Sequence, residues 1–155
     1  DSYEQGLTTF DDYLNKTLFW TERNFSKEKF KNYVLGQSKP FPDMIAFFVQ
    51  LKKDFGLRVA AISNEGRDLI EHRIKVANLK SFIDDFFISS FVGFQKPDRR
   101  IYHIALDVTQ TLPRQSIFID DRIENVNAAK ELGIKGIHQT SLSATRKALF
   151  SYLNP

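Results

Sequence analysis

The sequence contains no cysteine, no long apolar run and no strong excess of charge of either sign. Without cysteine the chain can form neither disulfide bonds nor thiolate metal sites. No stretch approaches the roughly 20 consecutive apolar residues that a membrane-spanning helix needs, and no signal-peptide pattern opens the chain. A formal net charge of +3, with basic residues scattered among acidic ones, offers no basic stripe for nucleic acid. These absences predict a cytoplasmic protein that binds neither membranes nor nucleic acid.

Two further absences concern catalytic motifs. The seven glycines form neither a phosphate-binding P-loop nor a dinucleotide fingerprint. The three histidines, His72, His103 and His138, show no metal-ligand spacing and are interpreted as structural or surface residues. What remains is the composition of an ordinary globular domain, 42% hydrophobic and 26% charged, and the length of 155 residues fits one domain with a small addition.

The pattern of apolar residues changes near residue 39. Residues 1–38 carry aromatic and charged residues at helical spacing, with Ser26 as a predicted N-cap, and predict short helices without a strand. Residues 39–155 predict helices and strands in strict alternation: helix 43–55, strand 58–62, helix 67–77, strand 86–90, helix 98–108, strand 116–119, helix 125–132, strand 136–138 and helix 144–153. This alternation predicts an α/β fold with a doubly wound parallel sheet.

The first three predicted strands are each followed by a polar cluster. These clusters are Ser63 with Asn64, the loop that contains Lys96, and Asp120 with Asp121. Ligands of such folds bind beyond the carboxyl ends of the strands. We therefore expect the three clusters to converge on one edge of the sheet.

Each cluster has a functional and an ordinary interpretation. Adjacent carboxylates such as Asp120 and Asp121 repel unless a cation lies between them, and Mg²⁺ suits them, but Asp121 could instead cap the next helix. The Ser63 hydroxyl and the N–H groups of the next turn could hold phosphate oxygens, although serine also favours ordinary turns. Lys96 could neutralise a phosphate or a carboxylate nucleophile, or it could be a solvated surface lysine.

Taken in order, the clusters and their flanks resemble motifs two, three and four of the haloacid dehalogenase superfamily. The matching stretches are 62–66 (Ile-Ser-Asn-Glu-Gly), 95–98 (Gln-Lys-Pro-Asp) and 118–125 (Phe-Ile-Asp-Asp-Arg-Ile-Glu-Asn), and 125–133 resembles the segment that follows motif four. The resemblance covers about residues 41–155. It implies a Rossmann-like core at 39–155 and, at 1–38, the small helical cap of subfamily I members, which would select the substrate.

The resemblance also implies roles for individual residues. Ser63, helped by the backbone at Asn64, would bind the phosphoryl group, and Lys96 would stabilise the charge of nucleophile and phosphate. Asp120 and Asp121 would hold Mg²⁺, directly or through water. Dehalogenase members tend to carry serines in place of this acidic pair and an acid in place of Asn125. The resemblance therefore implies a Mg²⁺-dependent phosphatase, and residues 122–125 are similar to the branch of bacterial sugar-phosphate phosphatases.

One family motif is absent. The first motif is an Asp-x-Asp at the end of the central strand, whose first aspartate forms a phosphoaspartate and whose second is the general acid and base. No Asp-x-Asp occurs in this sequence. We expect the missing strand and nucleophile upstream of Asp1, and the chain alone to be inactive. Two alternatives stay open: a non-catalytic phosphate- and metal-binding module, and, less favoured by the acidic pair, a haloacid dehalogenase.

Overall fold

A computed structural model describes residues 2–153 of the chain, which divides into two compact units, Asp1–Gln95 and Lys96–Pro155. The first unit contains α1 (Phe10–Thr17), α2 (Lys27–Gly36), α3 (Pro42–Phe55), β1 (Ala60–Ser63), α4 (Arg67–Val76), a 3-10 turn (Leu79–Ser81), β2 (Asp85–Ile88) and the short α5 (Ser89–Val92). The second contains α6 (Arg99–Thr109), a 3-10 turn (Pro113–Gln115), β3 (Ile117–Asp120), α7 (Ile123–Glu131), β4 (Lys135–His138) and α8 (Leu142–Leu153). Within residues 2–153, none of the helices is both long and apolar enough to cross a membrane.

Local sequence signals set the helix ends. The Ser26 hydroxyl accepts a hydrogen bond from the Lys29 N–H at 3.1 Å, which confirms Ser26 as the N-cap of α2. Pro42 occupies the first turn of α3, where its missing N–H costs nothing. Gly56 ends α3 in the left-handed conformation, with φ of 60°, which a residue without a Cβ adopts without strain. The first 36 residues form helices and no strand in their described part, as predicted.

Each unit contains a two-stranded parallel sheet. In the first unit β1 pairs with β2, with Ser63 opposite Ile88, and in the second unit β3 pairs with β4, with Asp120 opposite His138. All four predicted strands are present, and the prediction of an α/β fold with parallel strands is confirmed. The predicted boundary between a helical cap at 1–38 and a core at 39–155 stays a prediction.

Most strand ends differ from the sequence prediction by one or two residues, and two of these differences involve serine residues. Ser63 is the last residue of β1 and not the first residue of a loop. The predicted strand 86–90 ends at Ile88, because Ser89 and Ser90 begin the short helix α5. Gly93, with φ of 79°, closes this helix, and its N–H donates to the Ser89 carbonyl at 2.8 Å. A run of apolar and hydroxyl residues does not show where strand pairing stops, so this boundary was wrong.

The strands themselves are less buried than is usual for a parallel sheet. Strands of this kind are normally covered on both faces, yet β1 runs from exposed to half-buried and β3 is half-buried until Asp120. Within the described part of the chain, β1 and β3 each pair with a single strand. Each of these two strands therefore has one edge that is open to a further strand.

Candidate functional site

The acidic pair of the sequence lies at the carboxyl end of β3, in the second unit. Asp120 is the last residue of the strand and is 9% exposed, whereas Asp121 is exposed in the turn before α7. The N–H of Gln139 donates to the carbonyl of Asp120 at 2.9 Å, which extends the pairing with β4 to this point. The strand register thus fixes the backbone at the start of the acidic pair.

The Asp120 carboxylate accepts hydrogen bonds from three donors. Lys96 Nζ lies 2.6 Å from Oδ2, with both side chains nearly buried, at 11% and 6% exposure for Lys96 and Asp120. The backbone N–H of Arg122 and the side-chain amide of Asn125 both donate to Oδ1, each at 2.9 Å. Lys96 is therefore not a solvated surface lysine, and the structure brings two of the predicted site residues into direct contact.

These donors set the ionisation of Asp120. Burial alone would raise the pKa of this carboxyl group and is the largest single influence. The hydrogen bonds from Lys96, the Arg122 N–H and Asn125 outweigh it, and the pKa of Asp120 lies below its ordinary value. Asp120 is therefore a carboxylate at neutral pH despite its burial.

Asn125 and Tyr102 belong to this network, although sequence reasoning assigned them no role in the site. Asn125 is 3% exposed, and its backbone carbonyl accepts a hydrogen bond from the fully buried Tyr102 hydroxyl at 2.9 Å. Burial, followed by the charge of Asp120, raises the pKa of Tyr102 well above its ordinary value, so the hydroxyl remains a donor. The Tyr102 ring also packs edge-on against the ring of Phe118, with 5.2 Å between the two ring centroids. The one available signal was the position of Asn125, one helical turn after the acidic pair.

Asp121 does not cap the following helix. The N-cap residue of α7 is Arg122, without a side-chain cap hydrogen bond, so the ordinary interpretation of Asp121 as a helix cap is wrong. Its carboxylate makes no hydrogen bond or salt bridge with residues 2–153. Its backbone carbonyl lies 2.9 Å from His138 Nε2, and because a carbonyl only accepts, the ring N–H donates. His138 is thus a surface residue that also holds the acidic turn, a contact that sequence spacing did not reveal.

The acidic pair can supply part of the ligand set of a magnesium ion. A carboxylate has about four lone-pair directions. The three donors at Asp120 occupy three of these directions and leave about one for a metal ion. None of the lone pairs of the Asp121 carboxylate accepts a hydrogen bond from residues 2–153. Nowhere in the described chain do three or more acidic, histidine or cysteine side chains cluster as a metal site. Mg²⁺ commonly takes one or two carboxylates and completes its shell with water and substrate phosphate oxygens. The donor set of this turn fits that pattern.

The remaining predicted residues, Ser63 and Asn64, lie in the first unit. Ser63 ends β1, and its hydroxyl donates to Glu65 Oε1 at 2.9 Å. Asn64 follows in the loop before α4 and is half-buried. Arg73 Nη1 lies 2.8 Å from the same Glu65 oxygen. Sequence reasoning had placed neither Glu65 nor Arg73 among the site residues. In this unit a hydroxyl and a guanidinium group converge on one carboxylate.

Comparisons with known proteins agree with this picture of the fold. A profile of the family described as haloacid dehalogenase-like hydrolase matches residues 3–138. The chain is similar to the sesquiterpene phosphatase astK of Aspergillus oryzae, at 40% identity over 62 residues, 40% of this chain and 32% of that protein. It is also similar to a glyceraldehyde 3-phosphate phosphatase of Methanothermobacter thermautotrophicus, at 26% identity over 129 residues, 80% of this chain and 57% of that protein. The chain thus spans about a third of one relative and just over half of the other.

A solved structure gives the same fold. The chain superposes on a haloacid dehalogenase family enzyme from Bacteroides thetaiotaomicron, in complex with magnesium and inorganic phosphate, with a TM-score of 0.74. The identity is 17%, over 91% of this chain and 74% of that chain. At this identity the likeness establishes the fold, and the chain has the α/β fold of this family.

Proposed function

The chain belongs to the haloacid dehalogenase-like hydrolase family, and we propose that it forms part of a Mg²⁺-dependent phosphatase that acts on a small phosphorylated metabolite. The observation that carries this proposal is the buried Lys96–Asp120 pair beside the carboxylate of Asp121, which makes no hydrogen bond or salt bridge with residues 2–153. Such a group of one cation and two carboxylates suits the binding of a metal ion and a phosphate together. Curated relatives named as phosphatases of small phosphorylated compounds give further support.

In this proposal the residues of the second unit hold charge in place. Lys96 keeps its position through Asp120 and presents a fixed positive charge, which stabilises the negative charge of a nucleophile and a phosphoryl group. Asn125 and the Arg122 N–H hold the other oxygen of Asp120, so that this carboxylate cannot rotate freely. Asp121 and Asp120 would hold Mg²⁺. When bound, the ion would neutralise the charge that develops on the transferred phosphoryl group.

In the first unit we propose that Ser63 and the backbone of Asn64 bind the phosphoryl group of the substrate. The hydroxyl and the N–H groups of the turn after β1 lie beyond the carboxyl end of a parallel strand, where ligands of such folds bind. The helices of residues 1–38 would act as the cap that selects the substrate, and a sugar phosphate is the proposed kind of substrate.

The nucleophile is proposed to come from a segment upstream of Asp1. The sequence contains no Asp-x-Asp, and β1 and β3 each have an open edge within the described part of the chain. A strand carrying the missing motif would satisfy backbone groups along such an edge. Its first aspartate would attack phosphorus and displace the alcohol of the ester, which leaves with a proton, to form an aspartyl-phosphate. Water would then hydrolyse this intermediate to inorganic phosphate and restore the aspartate.

The test compares two reactions on the complete protein. We expect hydrolysis of p-nitrophenyl phosphate that stops when Mg²⁺ is chelated, and no release of chloride from 2-chloropropionate. Chloride release without metal would indicate a dehalogenase instead. Binding of phosphate and Mg²⁺ without turnover would indicate a non-catalytic binding module. Either of these results would reject the proposed phosphatase.

A further inference from the structure

The Ser63 hydroxyl is already engaged by a neighbouring acid. Ser63 Oγ donates to Glu65 Oε1 at 2.9 Å, two residues further along the chain. A serine hydroxyl has a single hydrogen to donate. While it is directed at Glu65, Ser63 cannot donate to a phosphate oxygen, which is the role that the proposed function gives it.

Neighbouring residues hold both the side chain and the backbone of Glu65 in this position. Arg73 Nη1 lies 2.8 Å from Oε1, the same oxygen that Ser63 contacts. The Glu65 N–H donates at 3.0 Å to the hydroxyl of Ser89, a fully buried residue. Ser89 in turn donates to the Glu4 carbonyl at 2.6 Å. In this structure the Glu65 carboxylate is thus held against Ser63 by contacts of its side chain and its backbone.

The donors around Glu65 Oε1 are those that recognise an oxyanion. A hydroxyl and a guanidinium directed at one oxygen form the kind of charge-assisted arrangement that binds both carboxylates and phosphates. The second oxygen, Oε2, is buried and accepts no hydrogen bond from the described residues. The contact with Ser63 and Arg73 therefore depends on Oε1 alone, and a competing oxyanion needs to displace only that oxygen.

We propose that the Glu65 carboxylate competes with phosphate for the Ser63 hydroxyl. This competition lowers the affinity of the site for phosphate, because the carboxylate must leave Ser63 before phosphate can bind there. The proposal rests on the phosphate-binding role of Ser63. An acid two residues away has a high effective concentration at the hydroxyl, and a phosphate that approached while it stayed there would meet like charge. Substrate binding thus requires the exchange of one anion for another at Ser63, with Arg73 available to retain Glu65 or to contact the phosphate.

Such an exchange affects which ligands the site accepts. An anion that contacts only Ser63 gains too little binding free energy to displace the Glu65 carboxylate, which is tethered to the same loop. A phosphate dianion that also contacts the Arg73 guanidinium gains more. Glu65 therefore sets a threshold that favours phosphate esters over simple carboxylates and halides. Its removal is expected to raise the affinity for phosphate and to weaken this discrimination.

The experiment is a titration of the complete protein with inorganic phosphate at pH 7, followed through the backbone amide signals of 63–66 in a ¹H–¹⁵N spectrum. Glu65→Gln keeps the size of the side chain and removes its charge, and we expect about tenfold tighter phosphate binding. Glu71→Gln is the matched control, because it makes the same change in net charge at an exposed residue of α4 that pairs only with Arg67. We expect the control to bind phosphate as the natural chain does.

Two further variants complete the test. Glu65→Ala removes the acceptor altogether and is expected to show the same tightening, so the proposal remains testable if the glutamine variant does not fold. If the natural chain and both Glu65 variants bind phosphate equally well while Ser63→Ala does not bind it, the proposed competition by Glu65 is wrong. The phosphate-binding role of Ser63 would then still stand. Phosphate binding that persists in Ser63→Ala, or that is absent from every variant, would overturn that role and the competition with it.

Discussion

Lys96 Nζ lies 2.6 Å from Asp120 Oδ2, and this ion pair is almost completely removed from solvent. Its two members are 24 residues apart and come from the start of the second unit and the end of β3. A buried charge is stable only if a partner and hydrogen bonds compensate for its lost hydration. Burial of this pair is therefore energetically costly unless its hydrogen bonds are complete. The pair holds a positive and a negative group beside the exposed carboxylate of Asp121.

Removal of one partner should strongly destabilise the chain. Lys96→Met leaves the Asp120 carboxylate buried without its cation, and we expect the free energy of unfolding to fall by about 3–5 kcal/mol. Arg99→Met is the matched control, because Arg99 pairs with Glu131 at an exposed position, where an ion pair contributes about 0–1 kcal/mol. Urea unfolding followed by circular dichroism measures both. A similar small loss in the two variants would contradict the burial of the Lys96–Asp120 pair.

The same pair predicts a dependence of stability on pH. The pKa of Asp120 is lowered in the folded chain, so its contribution is present above the unfolded value of about 3.9 and is lost as the pH falls through the lower folded value. We expect the free energy of unfolding to decrease more steeply below about pH 4 in the natural chain than in the double variant Lys96→Met, Asp120→Asn. Parallel curves for the two proteins would contradict the lowered pKa.

The Tyr102 hydroxyl offers a milder test of the same network. Tyr102→Phe removes the hydrogen bond to the Asn125 carbonyl and leaves the packing of the ring against Phe118. We expect a loss of about 0.5–1.5 kcal/mol in unfolding free energy, the net contribution of one ordinary hydrogen bond. Tyr33→Phe, at a side chain that is 65% exposed, is the control and should be neutral. A neutral Tyr102→Phe would show that the hydroxyl does not support the site.

Gly66 gives a prediction for the first unit. A Cβ at this position would lie 2.0 Å from a ring carbon of Tyr3, which packs with Phe10 and Leu14 in the core of the N-terminal helices. We expect Gly66→Ala to destabilise the chain by about 1–3 kcal/mol, the usual cost of overpacking. Gly36→Ala is the control, since no atom lies within 4 Å of its added methyl group. Thermal unfolding distinguishes the two, and equal midpoints would argue against the position of Tyr3.

The sequence was sufficient for the main helices and strands, but only for some of the site residues that contact each other. Alternating apolar helices and β-branched runs predicted all four strands, and helix-end signals such as Ser26 and Gly56 predicted several boundaries. The sequence also singled out Lys96 and Asp120, which the structure brings into contact. These features are local or periodic, and for that reason a single sequence reveals them.

Other features depend on contacts that periodicity does not encode. The end of β2 at Ile88 depends on where pairing with β1 stops, and the hydrogen bond from His138 to Asp121 depends on the register of β3 and β4. Glu65 resembles an ordinary loop residue until Arg73 and Ser63 are seen on the same oxygen. Such side-chain contacts have no periodic pattern in the sequence, so only the three-dimensional structure reveals them.

The most direct test of the proposed phosphatase is the Mg²⁺ dependence of turnover in the complete protein with Asp121→Asn. We expect turnover of p-nitrophenyl phosphate to fall by about a hundredfold or more and direct Mg²⁺ binding, measured by calorimetry, to weaken in parallel. Glu131→Gln, at an exposed residue of α7 that pairs with Arg99, should leave both unchanged. Unaltered turnover and unaltered Mg²⁺ affinity in Asp121→Asn would contradict the assignment of the metal to this acidic pair.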